Sequence, residues 1–208
     1  MPISPGERIA DNVIHVIGIV AALIAVTTML VFAVRHLPVP STTSLAIYGT
    51  AMLAMFGCSA AYHMVPAARW KNFLRRLDHA AIFLKIAGTY TPFAIKMGGA
   101  SGLGLLGSVW LVALLGAMGK LLAASTWDRF AIPLYLVLGW VGLLVLCPLA
   151  GILGPTSLAL LGIGGVVYSV GVVFHLWRSL PYQNAVWHAF VLAGTGCHFG
   201  AVTSAIFG

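Results

Sequence analysis

The sequence predicts an all-α integral membrane protein, a bundle of seven transmembrane helices with a cytoplasmic N-terminus. Three observations carry that prediction. Hydrophobic residues make up 61% of the 208 residues and charged residues only 7%, against roughly 45–50% and about 25% in a soluble domain. The apolar residues fall into seven long runs, each close to the roughly 20 residues that cross about 30 Å of hydrocarbon. The runs are unbroken, whereas a membrane barrel would show alternating segments of about ten residues. The composition also excludes disorder, a coiled coil and a secreted disulfide scaffold, all of which need more polar residues or more cysteines.

Taken in order, the spans lie near 12–34, 42–63, 78–97, 101–123, 131–152, 157–176 and 185–206, forming one domain over 1–208. Arg35 to Pro40 ends the first span, and Pro66 to Arg76 separates the second from the third. Gly98 to Gly102, Trp127-Asp128-Arg129, Gly154-Pro155 and Arg178 to Pro181 supply the remaining breaks. Only a glycine-rich connector parts the third and fourth spans, which leaves six spans as the alternative. The first span is too long for the apolar region of a signal peptide, and Glu7 and Asp11 stand where basic residues belong. The many glycines suit close packing of helices in lipid.

Orientation follows from the basic residues. Arg8, Arg69, Lys71, Arg75, Arg76, Lys120, Arg129 and Arg178 fall on one side; Arg35 and Lys96 fall on the other. Eight against two places the N-terminus in the cytoplasm of a multi-pass plasma-membrane protein and, with seven spans, the C-terminus outside. The net charge of +7 therefore reads as membrane orientation and contact with anionic headgroups, and nucleic-acid binding is not expected.

Polar groups within a bilayer are costly and mark function. His15, His63, His79, His175 and His188 all fall at the cytoplasmic ends of their spans, as does Asp78. His36 lies on the far side, and His198 about 15 Å deeper than His188 at ~1.5 Å per residue. His36, His79 and His175 are assigned to the headgroup level. The shared depth of the others, on several helices, is the way bundle metal sites are built. Ser59 and His63, four residues apart, share a helix face; a hydroxyl there either meets a substrate or back-bonds to its own helix. Asp78 and Lys85 are seven apart and nearly eclipse, so Lys85 either pairs with Asp78 through water or snorkels to the surface. Pro92, in Thr89-Tyr90-Thr91-Pro92, predicts a bend in the third helix. Cys58, Cys147 and Cys197 read as packing residues.

Three blocks together resemble a known family. Ser59-Ala60-Ala61-Tyr62-His63 resembles the S-x-x-x-H motif of the hemolysin III family, which belongs with the progestin and adipoQ receptors. Arg76-Leu77-Asp78-His79 through Thr89-Tyr90-Thr91-Pro92 resembles its third-helix signature. Trp187-His188-Ala189-Phe190 through Cys197-His198-Phe199 resembles its seventh-helix signature, and Glu7, Asn12 and His15 fit its opening segment. The resemblance implies an inner-leaflet zinc site with His63 and His188 as ligands, Asp78 holding the water that the metal activates, and Ser59 as a nearby hydroxyl. The chain departs from the pattern at Asn184, which stands where the family has the first histidine of an H-x-x-x-H pair. Candidates for the third ligand are His198, His15, His79 and Asn184 itself, although His198 lies about 21 Å along the helix from Asn184.

The resemblance implies a zinc-dependent hydrolase of lipid amides or esters, related families including ceramidases. The alternative is a non-enzymatic membrane-homeostasis or receptor-like protein with a structural metal site. A cytolysin has less support, because no amphipathic lytic segment stands out. A proton-coupled transporter using Asp78 and Lys85 is a further reading. Membrane lipids are the expected partners.

Overall fold

The computed structural model describes residues 4–66, 68–144 and 151–208. Among them are seven long helices: α1 (Pro5–His36), α2 (Val39–Met64), α3 (Lys71–Met97), α4 (Gly99–Leu122), α5 (Ala124–Leu144), α6 (Pro155–Leu176) and α7 (Gln183–Phe207). No strand occurs among the described residues. The chain is an all-α membrane protein.

Each boundary has a local cause. Ser4 caps α1 through the Glu7 amide while the Glu7 carboxylate returns to the Ser4 amide, a capping box, with Pro5 in the first turn. Gly98 and Gly99 adopt φ of +64° and +58°, a region open to glycine. One residue thus reverses the chain between α3 and α4, and the expected glycine connector is a tight turn between two separate helices.

Two boundaries differ from expectation. The segment 66–76 is not a loop throughout: a short 3-10 turn at Ala68–Trp70 leads directly into α3 at Lys71. Likewise Trp127, Asp128 and Arg129 lie within the first turns of α5, and the break falls at Ala123. Asp128 bonds back to Arg75 and Lys120, which ties this polar turn to the neighbouring helices. The last part of the predicted fifth span, with Cys147, lies outside the described residues.

Consecutive helices pack side by side, α7 closes back onto α1, and α3 also reaches α5 and α7. α3 is therefore the inner helix, and its sequence fits that place: Asp78, Lys85, Thr89 and Thr91 are all buried. Close packing needs small residues there. A side chain at Gly116 would meet the Phe83 ring at 2.6 Å, and one at Gly88 would meet Ala51 at 2.7 Å. Across Pro92 the helix continues, with Thr89 and Thr91 hydroxyls donating to the carbonyls of Lys85 and Ala87.

Five of the helices are long and apolar enough to cross a membrane: α1, α2, α4, α6 and α7. α3 carries the internal charges just named, and α5 has a shorter apolar stretch, Phe130–Val141. On α1 the outward face exposes Val13, Val16, Ile17, Val20 and Ile24, a lipid-facing surface. Its inward stripe runs Asp11, His15, Gly18, Ala22, Val26, Met29 and Ala33. The first two members of that stripe are polar, and they begin the site.

Candidate metal centre

Asp11, His15, His63 and His188 come from α1, α2 and α7 and meet at one end of the bundle. Each brings a donor atom to within 4.8 Å of the others, and all but His63 are fully buried. The three imidazole rings lie 4.3–5.0 Å apart, centre to centre.

The contacts set the roles. His188 Nδ1 donates to Asp11 Oδ1 at 2.6 Å, and His63 Nδ1 lies 3.0 Å from Asp11 Oδ2. One carboxylate thus holds two rings by the same nitrogen. His15 Nδ1 donates to the Asp11 carbonyl at 2.8 Å, one turn back on its own helix. Each ring is oriented through Nδ1 by an oxygen, which leaves the three Nε2 atoms available to a metal; metal-binding histidines are commonly held in this way. Three borderline imidazole nitrogens and one hard carboxylate suit zinc and other divalent first-row metals. The residues present fit a divalent ion.

Ser59 and Asp78 adjoin this group. The Ser59 hydroxyl lies 3.3 Å from His15 Nε2 and faces the buried Asp78 carboxylate. A hydroxyl has one proton to donate, so Ser59 serves either His15 or Asp78 at a given moment. The sequence left open a back-bond from Ser59 to its own helix; its partners are instead on α1 and α3.

A cavity of about 630 Å³ runs from this group into the bundle, lined by Ser59, His63, Asp78, Lys85, Tyr168, His188 and His198 among others. Asn184 lines it as well, one turn before His188, but the fourth member of the cluster is Asp11. The sequence had counted Asp11 only as a charge near the N-terminus. His198 lies away from the cluster: its ring packs against Tyr168 at 5.3 Å, which removes it from the donor set. His79 and His175 also line the cavity and so are not simply headgroup residues, while His36 packs at a tilt against Phe32.

Lys85 makes no direct bond to Asp78 and does not reach the surface. Its ammonium donates to Tyr168 Oη at 2.7 Å, and Tyr168 in turn contacts Thr195 Oγ1 at 2.5 Å. Arg75, Lys120 and Asp128 also line the cavity. Arg75 meets Asp128 at 2.5 Å, and the buried Lys120 ammonium bonds its other oxygen. Partial burial alone would raise the Asp128 carboxyl, but these two cations hold it below the usual carboxylate range.

The fold and the site define a class: a polytopic membrane protein with a buried carboxylate and three histidines at one end of a helical bundle, opening on an internal cavity. The sequence profile of haemolysin-III related proteins matches residues 8–199, and the chain belongs to that family. It is 34% identical to the Hemolysin-3 homolog of Bacillus subtilis (strain 168), over 94% of this chain and 92% of the relative. Hemolysin-3 of Bacillus cereus is 33% identical over 94% and 90% of the two chains. The human Monocyte to macrophage differentiation factor is 28% identical over 75% and 67%. The protein is accordingly a multi-pass protein of the plasma membrane.

Proposed function

We propose that the protein is a zinc-dependent hydrolase of lipid amides or esters, its N-terminus and its site on the cytoplasmic side. The observation that carries this reading is the junction of the Asp11–His cluster with Asp78, Ser59 and a cavity large enough for part of a lipid. A metal bound there supplies Lewis acidity and lowers the pKa of its water towards about 7. His15, His63 and His188 would hold the ion, and Asp11 fixes the orientation of two of those rings. Asp78 accepts the proton of the attacking water. The Ser59 hydroxyl donates to the carbonyl oxygen as negative charge develops on it. The apolar part of the cavity accommodates the acyl chain and excludes bulk water.

One observation favours a second reading. If Asp11 binds the ion directly, four protein donors close a tetrahedral shell, the pattern of structural zinc. The protein would then be a non-enzymatic homeostasis or receptor-like factor. Neither reading borrows cytolysis from the names of the Bacillus relatives.

The test uses purified protein in lipid nanodiscs with ceramide-type amides and acyl esters as substrates. Hydrolysis that falls at least about a hundredfold in Asp78→Asn, a typical magnitude for loss of a general base, with metal content unchanged, supports the hydrolase. Metal-loaded protein without turnover on either substrate class favours the structural reading.

A further inference from the structure

We propose that Lys85, Tyr168, Thr195 and His198 form a second binding site, deep in the bundle and independent of the metal, that takes the carboxylate head of a single-chain amphiphile. The chain has four acidic side chains, and each is committed elsewhere. Glu7 caps α1 and accepts from the Tyr182 amide; Asp11 holds His63 and His188; Asp78 faces Ser59; Asp128 pairs with Arg75 and Lys120. No side-chain carboxylate remains for Lys85, whose exposure is only 4%. A buried ammonium without a counter-charge is strongly unfavourable, and an anion from outside the chain would stabilise the charged form.

The surroundings specify that partner. Tyr168 takes one of the three ammonium protons. His198, half-buried beside Tyr168 and lining the cavity, bonds the Leu161 backbone and has no partner at Nδ1. An incoming acceptor finds the remaining ammonium protons of Lys85, with the His198 ring beside them. With Lys85 the one amine of this group, a single negative charge is matched and a dianion is not. Farther along the helices, on the side away from the Asp11–His cluster, the cavity is lined by Phe93, Leu158 and Leu161. That apolar lining suits a hydrocarbon chain. Lys85 lies seven residues beyond Asp78 on α3, about 10 Å at ~1.5 Å per residue, too far for one carboxylate to bridge both groups.

The experiment measures binding of palmitate, its neutral counterpart hexadecanol, and acetate to purified full-length protein by titration calorimetry. Wild-type protein is expected to prefer palmitate over hexadecanol by at least about tenfold, with acetate a weak competitor. In Lys85→Met, the preference disappears while metal content and monodispersity stay as in wild type. Equal binding of palmitate and hexadecanol by the wild-type protein overturns the site, whether or not the variant folds. A preference that persists in Lys85→Met with metal content unchanged places the carboxylate at the metal cluster and also overturns it. Acetate that binds as tightly as palmitate shows a site for small free carboxylates, which rejects the amphiphile.

Discussion

The Asp11 carboxylate and the His188 imidazole, 177 residues apart in the chain, lie 2.6 Å from each other. They join the first helix to the last at the point where His63 enters from the second. A brace supports that junction: Glu7, one turn before Asp11, accepts from the amide of Tyr182, just before α7. Tyr182 holds a left-handed φ of 59° to present that amide. The closure of the bundle and the assembly of the site are one event.

Asp11→Asn keeps the shape of the side chain and removes its charge. An outer-shell carboxylate typically contributes about 10–100-fold to metal affinity. Competition with a fluorescent chelator should show a loss in that range. Affinity equal to wild type would mean that the two rings need no anionic support.

Asn184 is where the chain departs from its family's histidine pattern. Sequence alone implies that Asn184→His, adding an imidazole one turn from His188, tightens zinc by more than tenfold. With His15 present as the third imidazole, the expected gain is below about tenfold, or ~1.4 kcal/mol. His15→Ala should then weaken binding more than Asn184→His strengthens it. Chelator competition on the two variants checks the order.

Asp128 ties α3, α4 and α5 together. Its folded-state pKa is depressed below 3.8, so its contribution is fully present above the unfolded value and lost as pH falls through the folded one. Asp128→Asn should lower the thermal midpoint in detergent at pH 7. The difference from wild type should shrink as pH drops below about 3.8. A constant difference down to pH 3 would remove the carboxylate from the explanation.

The eight-to-two distribution of basic residues predicts a cytoplasmic N-terminus. With seven spans, a C-terminal alkaline phosphatase fusion should be active and a C-terminal green fluorescent protein fusion dark. The reverse pattern would support an even number of spans.

The fold was legible because apolar runs and their glycine and proline breaks report directly on membrane helices. Boundaries slipped where polar residues continued a helix, as at Lys71 to Arg76 and at Asp128, because tertiary contacts meet those side chains: Lys71 and Arg76 reach the Tyr62 and Leu121 carbonyls, and Arg75 and Lys120 pair with Asp128. His63 and His188 were legible from their depth together with the family motifs, and His15 as one of several candidates for the third ligand. Asp11 was not, although it shares a face with His15 four residues on. Its charge invited a reading about targeting, and only the packing of α1 against α7 shows which face turns inward. Tyr168, 83 residues from Lys85, had no local signal at all, whereas the separation of His198 was legible as about 15 Å of helix beyond His188.

The central claim is that the Asp11–His15–His63–His188 cluster holds a metal ion, and elemental analysis of gently purified protein tests it most directly. The account predicts close to one zinc per chain in the wild type. It predicts a large loss in each of His15→Ala, His63→Ala and His188→Ala, with helical content retained by circular dichroism. Wild-type protein without bound metal, or zinc that survives all three substitutions, would contradict it.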